Sequence, residues 1–148
     1  MNSIMNTVTS YLVGRTCQDF RLIEDGTLIL YLDGSGAYQP PAEACFWINC
    51  AWRVRQDEQI LIGSLDDPVR ILPILKSLIK EIISGVQIDN HTRDVTLSCH
   101  SGLLIESFCY MTDGENWELR KSDGCRYGVG ADLKPFELRM TSTDSNGE

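Results

Sequence analysis

Residues 88–102 (IDNHTRDVTLSCHSG) lie over residues 20–34 (FRLIEDGTLILYLDG) without a gap, so that Ile88 meets Phe20, Leu97 meets Ile29 and Gly102 meets Gly34. In both stretches a strand-like run leads to a polar turn, a second strand-like run and a closing glycine turn. Residues 103–110 (LLIESFCY) then take the place of the strand that begins at Cys45. The fold class this predicts is α+β: two antiparallel β-meanders, an internal repeat, joined by one main helix and preceded by a short N-terminal helix. The prediction is a single domain over residues 1–140, with repeat halves at about 14–63 and 82–120, and a disordered tail at 141–148.

The local grammar supports this layout. Ile4, Met5, Val8 and Leu12 stand at helical spacing. Asp25-Gly26 reads as a hairpin turn, and residues 27–32 (TLILYL), apolar on both faces, read as a central strand. Residues 35–44, with Gly36, Pro40 and Pro41, read as an irregular loop. Residues 45–54 (CFWINCAWRV) read as one long aromatic strand and residues 59–62 as another. Asp67 followed by Pro68 is a helix start, and Ile71, Leu72, Leu75, Leu78 and Ile79 give one apolar stripe. Pro73 removes an amide inside that helix, which predicts a kink or a later start. Residues 112–119 (TDGENWEL) add a turn and a strand through Trp117, residues 122–132 (SDGCRYGVGAD) read as a loop, and residues 136–140 read as a last strand.

Composition narrows the function classes. At 148 residues with 43% hydrophobic and 23% charged content, the chain can bury roughly 70% of its unfolded surface without staples. No apolar run is long enough to span a bilayer and no signal-peptide pattern opens the sequence, so no membrane association and a cytoplasmic location are expected. The six cysteines (Cys17, Cys45, Cys50, Cys99, Cys109, Cys125) are then expected as reduced thiols. No C-x-x-C, C-x-x-H or H-x-x-x-H occurs, so no metal and no cofactor are expected. A net charge of −8 argues against nucleic acid as a partner, which needs a basic face. It suits either solubility alone or steered association with a basic protein, and charge does not separate the two.

The stretch most suggestive of chemistry, residues 97–102 (LSCHSG), loses that reading once it is a strand. Alternation sends Cys99 and His100 to opposite faces, with Val95, Leu97 and Cys99 on the apolar one. His91 sits at the far end of the same strand. No G-x-S-x-G elbow surrounds a serine, and the acids Asp89, Asp94, Asp113 and Glu115 all lie in turns that favour them for local hydrogen bonding. The expectation is therefore a protein without catalytic residues. Candidate partner-binding residues are Trp52, an aromatic beside Arg53 and Arg55, and the carboxylates Asp57, Glu58, Asp66, Asp67, Asp113 and Glu115.

Taken in order, "GRTC" (residues 14–17), "LILYLDG" (28–34), "WRV" (52–54), "ILIGS" (60–64), "DVTLSCHSGLLIESF" (94–108) and "WEL" (117–119) resemble small bacterial immunity proteins of contact-dependent growth inhibition and polymorphic toxin systems. The resemblance covers about residues 12–120 and its motifs are strand and turn grammar without a chemical signature. It implies a non-enzymatic cytoplasmic protein that binds a cognate toxin C-terminal domain, often a basic nuclease, and blocks its active site. The competing reading is a regulatory or structural interaction domain, homo-oligomeric, with no toxin partner.

Overall fold

The computed structural model describes residues 2–34 and 43–139. The tail expected at 141–148 and most of the loop expected at 35–44 fall outside these residues. Helix α1 (Ser3–Leu12) begins on Asn2, whose side chain accepts from the Ile4 amide at 2.7 Å, and buries Met5, Val8 and Leu12. Strands β1 (Cys17–Leu22), β2 (Leu28–Leu32), β3 (Ala44–Ile48), β4 (Ala51–Gln56) and β5 (Gln59–Gly63) follow, then helix α2 (Pro68–Lys76). Asp67 caps α2 through the Val69 amide at 2.9 Å with Pro68 in the first turn, as the sequence predicts, and the helix runs on through Pro73. After it come β6 (Ile83–Ile88), β7 (Val95–Cys99), β8 (Leu103–Phe108), β9 (Glu115–Lys121), β10 (Arg126–Gly130) and β11 (Pro135–Leu138).

The strands form two antiparallel sheets, one six-stranded in the order β1-β2-β3-β9-β10-β11 and one five-stranded in the order β5-β4-β8-β7-β6. The chain is α+β as expected, but the two halves are interleaved. The first half contributes the β1-β2-β3 meander to one sheet and the β4–β5 hairpin to the other, and the second half contributes the β6-β7-β8 meander to the second sheet and β9-β10-β11 to the first. The inner faces share one core, with Leu28, Leu30, Leu32, Phe46, Trp117 and Leu119 from the first sheet and Trp52, Val54, Val95, Leu97 and Ile105 from the second.

A pseudo-two-fold relation runs through the connections. Gly14 donates to the Ile83 carbonyl at 2.7 Å and Lys80 to the Cys17 carbonyl at 2.6 Å; Cys17 donates to Glu81 at 2.8 Å and Ile83 to Arg15 at 2.9 Å. Between these reciprocal bonds lies the antiparallel bridge of Thr16 and Ile82. Gly14 and Lys80 both take positive φ, and β1 and β6 both shift register one step after their first residue. Helix α1 packs on β6 and β10, and α2 on β1 and β5. The correspondence reaches the largest side chains: Trp52 faces β8 at Ser107, and Trp117 faces β3 at Ile48, in equivalent places. The Trp52 indole donates to the Gly26 carbonyl at 2.7 Å and the Trp117 indole to the Arg93 carbonyl at 2.8 Å, each oxygen belonging to the first turn of a meander.

Two expectations are corrected. Residues 45–54 are not one strand. The chain leaves the first sheet after Ile48 and enters the second at Ala51, and at the crossing the amides of Asn49 and Cys50 both donate to the Asn116 carbonyl, at 2.9 and 3.1 Å. Residues 122–132 are not only a loop: they contain β10, whose Gly128 lies so close to β9 that a Cβ would fall 2.3 Å from the Trp117 carbonyl oxygen.

The outer sheet faces carry ion-pair clusters. Glu118, 0% exposed, accepts from Arg126 at 2.6 and 3.0 Å and from Arg120 at 3.0 Å, and Arg120 stacks 4.0 Å over Trp47. Glu106 accepts from Arg53 at 2.7 Å and from Arg55 at 3.0 and 3.1 Å. Burial works to raise the Glu118 carboxyl, but the hydrogen bonds from Arg126 and Arg120 outweigh it and hold the group below the ordinary glutamate value. The Arg55 hydrogen bonds, joined by those of Arg53, do the same for Glu106. A carboxyl whose folded pKa lies below its unfolded one, about 4.3 for glutamate, stabilises the fold above the unfolded value and loses that contribution as pH falls through the folded one. The urea midpoint is therefore expected to drop as pH is lowered below about 4.3, and to drop less steeply in the Glu106→Gln, Glu118→Gln double variant. Parallel pH profiles for parent and variant would contradict the assignment.

Candidate functional site

The β1–β2 turn and the β5–α2 loop meet at one end of the molecule and enclose a groove of about 450 Å³. Its apolar wall comes from Leu22 and Ile23 on one side and Pro68, Ile71 and Leu72 on the other. Every charged side chain that lines it is acidic: Glu24, Asp25 and Asp66. A second cavity of about 220 Å³ continues from it through Asp25, Gly26, Ser64 and Leu65 to Asn49, Cys50, Ala51 and Tyr110.

Local chemistry fixes this geometry. Gly26, at φ 96°, turns the first hairpin, and Asp25 accepts from the Thr27 amide at 3.0 Å, which holds its carboxyl below the usual range. Asp66 accepts from the Gly63 amide at 2.8 Å, which folds the β5–α2 loop back on itself. Leu65 is thereby pushed outward and is 99% exposed, while Val69, one turn along on the outer face of α2, is 78% exposed. Asn116 braces the second cavity: its side-chain oxygen accepts from the Tyr110 and Met111 amides at 3.0 and 2.9 Å, and its amide nitrogen donates to the Gly130 carbonyl at 2.9 Å.

The candidate partner-binding residues fall in different places. Asp66 lines the groove and Asp67 stands beside it as the α2 cap. Asp57 and Glu58 form the β4–β5 turn at the opposite ends of those strands, about 17–20 Å away along the strand direction. Asp113 is exposed in the β8–β9 connection and Glu115 pairs with Arg126 at 3.6 Å; neither lines the groove. Trp52 is 1% exposed with its indole N–H satisfied inside the core, so it is not a surface anchor. Sequence reading missed Glu24, Asp25, Leu65, Val69 and Tyr110. The α2 pattern held one usable signal, since Val69 stands off the Ile71–Leu75–Leu78 stripe and must face away from the core.

The 97–102 stretch is structural. Cys99 is buried in the core, and burial pushes its thiol up to about 11. His100 is exposed and its backbone amide donates to Ile82. Among the described residues no group of three or more His, Cys, Asp or Glu side chains is placed to hold a metal ion, and no helix is long and apolar enough to cross a membrane. No family model, curated protein or solved structure matches this chain.

Proposed function

We propose that the protein is a non-enzymatic cytoplasmic binding protein of immunity type, which takes an apolar and basic segment of a toxin domain into the groove between the β1–β2 turn and α2 and so occludes that domain's active site. The observation that carries the reading is the pairing of exposed Leu65 and Val69 with a groove whose charged lining side chains, among the described residues, are Glu24, Asp25 and Asp66. Exposed aliphatics beside a groove supply desolvated contact area, and carboxylates of one sign select a cationic partner and speed its encounter. A chain of net charge −8 reinforces that steering at low salt.

The test is co-expression with the toxic C-terminal domain encoded by the neighbouring gene, followed by affinity measurement with the purified pair. Leu65→Asp and Val69→Asp are expected to weaken binding by at least about tenfold, since each inserts a charge into the contact. Both sites are exposed, so stability is expected to stay within about 0.5 kcal/mol of the parent. Glu24→Lys is expected to slow association and flatten its salt dependence, and Asp57→Lys at the far turn to do so to a smaller extent, through net charge alone. Undiminished killing with no co-purification, or equal affinity for the Leu65→Asp variant, would overturn the proposal. A parent that sediments as a dimer and a Leu65→Asp variant that sediments as a monomer would instead assign the groove to a second copy of the chain.

A further inference from the structure

The crossing between the sheets brings two cysteines together. The ladder of β4 and β8 ends with Ala51 paired to Phe108, and continuing that register by one position beyond the strands sets Cys50 opposite Cys109. Neither amide serves that pair: Cys50 donates to the Asn116 carbonyl at 3.1 Å and Cys109 to the Asp94 carboxylate at 2.6 Å. Antiparallel positions that do not exchange ladder hydrogen bonds are the close ones, with Cα atoms about 4.5 Å apart, inside the range that a disulfide spans. The Cys109 thiol reaches the Arg93 carbonyl at 3.4 Å and also lies within hydrogen-bonding reach of the Cys50 sulfur. Both are free thiols. Cys50 is only 2% exposed, yet it lines the 220 Å³ cavity beside Leu65 and Tyr110, which gives a small molecule a way in.

We propose that Cys50 and Cys109 are a redox-active dithiol that a peroxide entering this cavity converts to an intramolecular disulfide. The proposal is independent of the identity of any protein partner. Cys50, which lines the cavity, is the attacking thiol, and Cys109, which does not line it, is the resolving one. When the Cys109 S–H turns from the Arg93 carbonyl to Cys50, its hydrogen bond favours the Cys50 thiolate and holds that pKa below the ordinary thiol value; the same bond, with burial, raises that of Cys109. By contrast, burial pushes Cys17 up to about 12, which leaves it protonated and unreactive.

The Cys50 thiolate attacks one peroxide oxygen and the O–O bond breaks. The departing hydroxide takes up the proton that Cys50 had released and leaves as water, with a sulfenic acid left on Cys50. The Cys109 sulfur then attacks the Cys50 sulfur, the S–O bond breaks, and the Cys109 proton leaves with the oxygen as a second water. The two thiols lose two electrons in total, and the peroxide is reduced to two waters.

The test treats the purified full chain with hydrogen peroxide, alkylates remaining thiols under denaturing conditions and maps the unreduced peptides by mass spectrometry. The expected result is a chain lighter by two hydrogens, four of the six cysteines alkylated, Cys50 and Cys109 peptides linked, and full reversal by dithiothreitol. Six alkylated cysteines, or a bridge between any other pair, would overturn it. In Cys109→Ser, dimedone is expected to trap a sulfenic acid at Cys50, and labelling elsewhere in its place would also overturn it. If that variant does not fold, the peptide map of the parent chain decides alone.

Discussion

Trp52→Ala is expected to lower the unfolding free energy by about 3–5 kcal/mol, the range for deleting a large buried aromatic, because the cavity left between the sheets cannot fully collapse. The loss has a second component. Trp52 is 1% exposed and its indole satisfies the Gly26 carbonyl at 2.7 Å, so truncation leaves a hydrogen-bond acceptor without its partner. Trp52→Phe separates the two effects: it keeps most of the packing and is expected to cost about 1–3 kcal/mol for the orphaned carbonyl. Trp117→Ala, at the equivalent place, is expected to match Trp52→Ala. Urea unfolding monitored by circular dichroism reads all three. A Trp52→Ala loss below about 1 kcal/mol, with weakened partner binding, would restore Trp52 as a surface anchor.

The second large effect comes from a pair of equivalent glycines that differ in how closely the next strand approaches. A Cβ at Gly63 would stand 3.7 Å from the Trp52 carbonyl oxygen, ordinary contact, whereas at Gly128 it would stand 2.3 Å from the Trp117 carbonyl oxygen and 2.8 Å from the Glu118 Cβ. Gly128→Ala must therefore push β10 away from β9, and its expected cost is at least the 1–3 kcal/mol typical of overpacking. Gly63→Ala is expected to change stability by less than about 1 kcal/mol. For a domain of this size that places the Gly128→Ala thermal midpoint several degrees below that of Gly63→Ala. Equal midpoints would show that the close approach at Gly128 is not a constraint.

The sequence showed the repeat but misplaced its register. The gap-free overlay sets Leu97 on Ile29, yet Ile29 faces outward with Tyr31, and Leu97 shares the core with Leu30. The cause is the first turn of each meander, closed by Ile23 donating to Thr27 in one copy and by Asp89 donating to Asp94 in the other, one residue longer. A single added turn residue moves the following strand to the other face of the overlay. The break at Asn49-Cys50 had no proline, glycine or charge run to mark it, because the crossing is fixed by Asn116, far along the chain. β10 was hidden by its own glycines, which looked like loop composition, although one of them, Gly128, is required by the approach of β9. Asp67, with Asp66 next to it, was legible as the α2 cap because helix caps follow local rules. The groove beside them was not, since it exists only where two distant turns meet.

The interleaving of the halves also has a kinetic consequence. The first sheet is completed by β3 pairing with β9, and the second by β4 pairing with β8, so both closures join segments separated by much of the chain. Such pairings require the loop entropy to be lost before any contact compensates for it, which places the molecule among slow folders of high contact order. During synthesis the first half emerges as an unfinished β1-β2-β3 meander and an isolated β4–β5 hairpin, each with a bare edge where the second half will dock. The native state thus forms as a late, concerted event, after the last hairpin of the second half has been made.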